Sequence, residues 1–148
     1  WEEPGFTGFA LPKLQERFAS QKNGSLIATL ILAFFRAIWH IPLLVRGTLP
    51  WFDVFGYILA FQLIIAWLFN RSGGSVPAVM LFHYASNLLA GGMMLQAFTG
   101  NERQLYWIFF TACACLIGLV IIIIEGTSLG INSRLTHKST LPALPGDK

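Results

Sequence analysis

Three pairs of residues within the first ninety positions combine side chains that can do chemistry together: Glu2 with Glu3, Arg36 with His40, and His83 with Asn87. Arg36 and His40 are four residues apart, as are His83 and Asn87, so each pair stacks on one face of a helix. A carboxylate and an imidazole can hold a water molecule and take its proton. Alternatively, Glu and His can ligate a divalent metal such as zinc, whose bound water is nucleophilic near neutral pH. A second imidazole and a carboxamide can donate hydrogen bonds to an oxyanion developing in a transition state. Together these are the parts needed to hydrolyse an amide bond. Singly, each has a plainer role: a membrane His or Asn can be a hydrogen bond between helices, and Glu2-Glu3 can be a solvated terminus.

The setting is what gives the three pairs weight. Of the 148 residues, 55% are hydrophobic and only 11% charged, against about 25% charged in an average soluble domain. Four apolar stretches, 25–45, 51–69, 76–98 and 105–124, each approach the ~20 residues needed to cross a hydrocarbon core. They run uninterrupted rather than alternating, which fits helices and not barrel strands. The expected fold is therefore all-α, a polytopic bundle of about four complete transmembrane helices plus part of an upstream helix. Residues 1–131 form its membrane domain and 132–148 a polar tail without order. The chain opens on Glu2-Glu3 without Met, which reads as a fragment lacking upstream helices. Residues 1–24 read as the lower part of a helix that bends at Pro12. Ionisable groups inside such spans are costly and functional as a rule. Asp53 and Glu125 fall at span ends and are expected in the interface.

Depth along the bilayer brings the groups together. The leg descending from Glu3 and the leg rising to His40 are of similar length at ~1.5 Å per residue, so Glu2, Glu3 and His40 can share a level. His83, about eight residues into its span, is expected nearer the opposite surface. Ala90, Gly91 and Gly92 are expected to permit close helix packing. Cys113 and Cys115 point to different faces and suit neither a disulfide nor a metal site. The net charge of +3 is dispersed, with no basic stripe, so nucleic acid is not an expected partner. Segments 1–24, 70–74 and 125–148 hold seven of the ten Lys and Arg, which places that side in the cytoplasm.

The stretch from Glu2 to Gln15 resembles the first motif of the intramembrane proteases of the CAAX-prenyl-protease and bacteriocin-processing (CPBP) family. Arg36-Ala37-Ile38-Trp39-His40-Ile41-Pro42 resembles the second, and His83-Tyr84-Ala85-Ser86-Asn87 matches the third, His-x-x-x-Asn. The resemblance covers roughly residues 1–90. It implies cleavage of a peptide or lipidated protein substrate, prenylated CAAX or leader peptide, from within the lipid of a bacterial cytoplasmic membrane. It makes Glu2 the catalytic acid/base with Glu3 beside it, gives His40 a part in binding water or metal, and assigns His83 and Asn87 to the oxyanion. If a metal takes part, Glu2, His40 and His83 are its expected ligands. Two positions depart from the family pattern, Thr7 for the usual Arg and Arg36 for the usual Phe. They suggest a linked exchange, with Arg36 supplying the charge that Thr7 lacks. Two other functions compete: a catalytically altered relative acting as a membrane binding or immunity protein, and a transporter fragment using His and Glu as a proton relay.

Overall fold

Each apolar run folds as a helix because a chain in lipid must satisfy its backbone polar groups internally. The computed structural model describes residues 2–131, and those residues contain no strand. Helix α1 spans Leu11–Arg17, α2 Gly24–Val45, α3 Ile58–Arg71, α4 Val76–Ser86 and α5 Gly100–Glu125. Three of these extend through π-helical segments: Pro4–Ala10 leads into α1, Asp53–Tyr57 into α3, and Asn87–Met94 continues α4. Four resulting helices are long and apolar enough to cross a membrane: Gly24–Val45, Asp53–Arg71, Val76–Ala97 and Gly100–Ser128. The polar tail expected at 132–148 lies outside the described residues.

Helix α3 is the centre of the bundle, packed between α2 and α5. Its Phe61, Leu63, Ile64, Ile65 and Phe69 meet Leu32 of α2, Val79 of α4 and Ile121 of α5 in the core. Outward-facing Phe34, Phe35, Leu81, Phe109 and Ile123 present an apolar surface suited to lipid. Between helices that share an apolar solvent, small residues set the approach. Gly118 does this against α3, where an added Cβ would sit 3.5 Å from Leu63. The expectation for Gly91 is corrected: an added Cβ there meets nothing within 4 Å. Gly91 and Ala90 instead line a cavity.

Proline explains the first π-helical segment. Pro12 lacks an N–H, and its ring would press on the carbonyl of residue 8 in a regular helix. The wider turn Pro4–Ala10 absorbs that conflict, and the helix runs on to Arg17. The chain then reverses through a turn that needs a glycine: a Cβ on Gly24 would lie 2.1 Å from the Phe18 carbonyl oxygen.

Candidate active site

The site is assembled by three helices that meet at one level. From Arg17 up to Glu3 is fourteen residues and from Gly24 up to Arg36 is twelve, so the antiparallel pair brings the acids opposite the arginine. Helix α4 joins them because it starts high in the bundle. Val76 packs against Gly8, where a Cβ would stand 2.9 Å from Val76 Cγ2. Counting from that contact, Glu3 is five residues up one helix and His83 seven up the other. The expected mismatch in depth for His83 is thereby removed: its Nδ1 lies 2.7 Å from Glu3 Oε1.

Arg36 is the hub. It is 1% exposed, and its Nη1 donates to Glu3 Oε1 at 2.8 Å and to Glu2 Oε2 at 3.0 Å. Its Nε donates to Gln62 Oε1 at 2.9 Å. The guanidinium lies 4.9 Å from the Phe6 ring centroid, a face that favours cations. A buried guanidinium requires such partners, and its Nη2 is still without one among the described residues.

The two acids are bonded differently. Glu3 is buried, and both its oxygens are taken: Arg36 and His83 donate to Oε1, and the Thr7 hydroxyl donates to Oε2. Because a carboxylate only accepts, the His83 Nδ1 carries the proton and Nε2 is left for the cavity. Glu2 is more open, with Trp39 Nε1 donating to Oε1 at 3.1 Å and Arg36 to Oε2. His40 is held apart from this cluster. Its Nδ1–H donates to the Arg36 carbonyl oxygen one turn earlier, at 2.8 Å, which again leaves Nε2 free. Phe61 packs edge-on against His83 with centroids 4.9 Å apart. Tyr57 and Ser86 share a 2.9 Å hydrogen bond that ties α4 to the start of the α3 helix.

A cavity of about 250 Å³ gathers Glu2, Arg36, His40, His83 and Asn87 on its wall. Among the described residues the Asn87 carboxamide makes no hydrogen bond to a neighbouring helix. Asp53 lines the same cavity, and here the expectation is corrected: it is 3% exposed rather than interfacial. It opens the π-helical turn Asp53–Tyr57, and although it is the first residue of its span it is buried in protein, on a cavity that Leu49 of the preceding loop also lines. Gln62 and Trp39 also belong to the site, and nothing in their spacing singles them out. A polar Gln in the middle of an apolar span is the available signal for the first.

A second, larger cavity of about 960 Å³ runs between the first helix and α2, walled by Phe6, Phe9, Leu14, Leu32, Phe35 and Trp39. It is apolar, and Glu2 is the residue common to both cavities.

The donor set that lies within metal-binding reach is Glu2, Glu3 and His83, with one ligand atom from each within 4.8 Å of the others. His40 is not in that group. Two carboxylates and an imidazole suit a divalent cation by type. Arg36, however, already pairs with both acids, and a guanidinium in contact with them opposes a second cation at the same place.

The family model described as "Type II CAAX prenyl endopeptidase Rce1-like" matches residues 1–89. That stretch carries Glu2, Glu3, Arg36, His40, His83 and Asn87. No curated protein and no solved structure matches the chain.

Proposed function

This chain belongs to the Rce1-like family of type II CAAX prenyl endopeptidases, a protease family, and on that premise we propose that it is an intramembrane endopeptidase acting on membrane-associated peptide substrates, with Glu2 as its catalytic base. The observation that carries the reading is the position of Glu2. It is the less encumbered of the two acids and stands where a lipid-facing apolar groove meets a polar chamber. A substrate anchored in the membrane by a prenyl group or an apolar segment has its anchor in the groove and its scissile bond at Glu2.

The chemistry follows from the hydrogen bonds. Water between Glu2 and the bare Nε2 of His40 loses a proton to Glu2 as its oxygen attacks the peptide carbonyl carbon. The carbonyl oxygen gains the negative charge and takes a hydrogen bond from the Asn87 amide. His83 presents Nε2 at the same wall, its ring oriented by the Nδ1–H bond to Glu3. The C–N bond then breaks as Glu2 returns the proton to the leaving amine. Glu3, with both oxygens engaged, anchors Arg36 and His83 and stays out of the proton transfers. Should a divalent cation bind, Glu2, Glu3 and His83 would hold it, and it would supply Lewis acidity to the same bond cleavage.

The distribution of Lys and Arg supports a cytoplasmic location for the loop between α3 and α4; the bacterial cytoplasmic membrane rests on the family resemblance alone. A second reading, a relative that binds such substrates without cutting them, is favoured by Thr7 at the position where the family resemblance leads one to expect Arg.

The test is cleavage of lipidated and leader-type peptides by the full-length protein in membranes, with Glu2→Gln and with a chelator as separate arms. Cleavage that vanishes in Glu2→Gln and persists under chelation supports the glutamate chemistry. Loss under chelation assigns the water to a metal. Binding without cleavage in the wild type supports the second reading.

A further inference from the structure

Asp53 has no role in the chemistry above, yet its burial needs a reason. Its Oδ1 is fully buried and has no hydrogen-bond partner among the described residues. No ion pair among those residues reaches it either; Arg36, on the same wall, pairs with Glu2 and Glu3 through Nη1, while its Nη2 is likewise buried without a partner among the described residues. Leaving a carboxylate oxygen buried and unpaired is costly, so native sites that retain one have a use for it. The cavity that Asp53 lines is the reaction chamber itself, and its neighbours there include Leu43, Leu49, Ile58 and Phe61. Three carboxylates, Glu2, Glu3 and Asp53, stand in and behind the wall against one guanidinium. The acids in and behind the chamber wall outnumber its guanidinium, and Asp53 does not line the apolar groove.

Resting on the protease reading, we infer that Asp53 is a specificity residue that receives a cationic side chain of the substrate, Lys or Arg, beside the scissile bond on the side away from the lipid anchor. The chemistry of the cavity fits such a side chain. Its methylene stem packs on Leu43, Leu49 and Ile58, and its charged head reaches the unpartnered acceptor. The Arg36 guanidinium does not repel the incoming cation strongly because two carboxylates already screen it. A neutral substrate leaves Asp53 as unpaired as it is now, and an acidic one adds repulsion. Discrimination therefore comes from both an attraction and a penalty.

The experiment uses the full-length protein in lipid vesicles and three lipid-anchored peptides identical except for one residue, Lys, norleucine or Glu, on the chamber side of the cleaved bond. The wild type should favour Lys over norleucine in kcat/KM by about tenfold or more, the order expected when a buried polar group is left without its partner. Asp53→Asn should bring that ratio near one, whatever it does to the absolute rate, and Asp53→Lys should turn the preference towards Glu. Equal cleavage of the three peptides by the wild type, or a Lys preference that survives Asp53→Asn, overturns the inference and leaves the protease reading standing. If the wild type cleaves none of them, the protease reading fails. Binding of the same peptides to the wild type and Asp53→Asn then decides the inference: a Lys preference that Asp53→Asn abolishes upholds it, and indifference sinks it.

Discussion

Replacing Arg36 by Gln tests the hub of the site. The substitution removes a 1%-exposed guanidinium that contacts Glu2, Glu3 and Gln62. Breaking a buried pair by deleting one partner costs about 3–5 kcal/mol, because the other charge is left without compensation. Here the lower end applies, since Glu3 keeps its bonds from Thr7 and His83, and Glu2 keeps Trp39. If about 3 kcal/mol fell wholly on the transition state, kcat/KM would drop about 150-fold. If it fell wholly on the fold, the melting temperature in detergent would drop by several degrees with little change in the kinetics of the surviving protein. Measuring both on the same preparation divides the loss. A companion variant, Thr7→Arg with Arg36→Phe, restores the residues that the resemblance leads one to expect at both positions. It should recover at least about tenfold of the activity lost in Arg36→Phe alone, which is a coupling of roughly 1.4 kcal/mol between the two positions. If Arg36→Gln leaves cleavage within about twofold and melting unchanged, the guanidinium neither positions the acids nor holds the helices. Arg36 is then no substitute for the arginine that Thr7 replaces.

Two further variants separate local roles. Glu3→Gln should lower thermal stability and cleavage together, because it weakens the buried bonds to Arg36 and His83, whereas Glu2→Gln should abolish cleavage and leave melting nearly unchanged; comparable melting losses in both would contradict the division between anchor and base. Gly24→Ala should destabilise the bundle by about 1–3 kcal/mol, as overpacking at a close approach does, because its Cβ would meet the Phe18 carbonyl oxygen at 2.1 Å; an unchanged melting temperature would show that the turn relaxes freely.

Much of this architecture can be read from residues alone. The four spans follow from length and hydropathy, and the chamber residues stand out because ionisable groups are scarce in apolar runs. Other features resist that logic. Asp53 stands at the end of a span in the sequence, but it is buried on the chamber wall with Leu49 of the preceding loop, and loop paths are not written in hydropathy. Gln62 is uncharged, so a search restricted to ionisable groups passes over it, although its carboxamide holds Arg36 Nε. The depth of His83 follows from how α4 packs on the first helix and on α3, with Val76 close against Gly8, and hydropathy does not report that packing. Trp39 is an exposed aromatic, and only the reach of its Nε1 to Glu2 ties it to the site.

The three π-helical segments explain how straight spans can aim their polar groups at one point. Each inserts a residue into the helical repeat, which loosens the backbone ladder and rotates the next turns of the helix. Thr7, Asp53 and Asn87 each lie in one of these segments, and each belongs to the site. Each segment also contains glycine: Gly5 and Gly8, Gly56, and Gly91 with Gly92. Glycine lowers the cost of leaving the regular helix, and an apolar bundle offers no water to repair the freed carbonyls. Irregular backbone within membrane spans is tolerated where it faces protein or a cavity, and here two of the three segments border the chamber directly while the first carries the bond to Glu3. The irregularity is concentrated where side chains must converge. The remaining turns of α2, α3 and α5 stay α-helical, with Pro42 near the end of α2, and present their apolar faces to the core and to lipid.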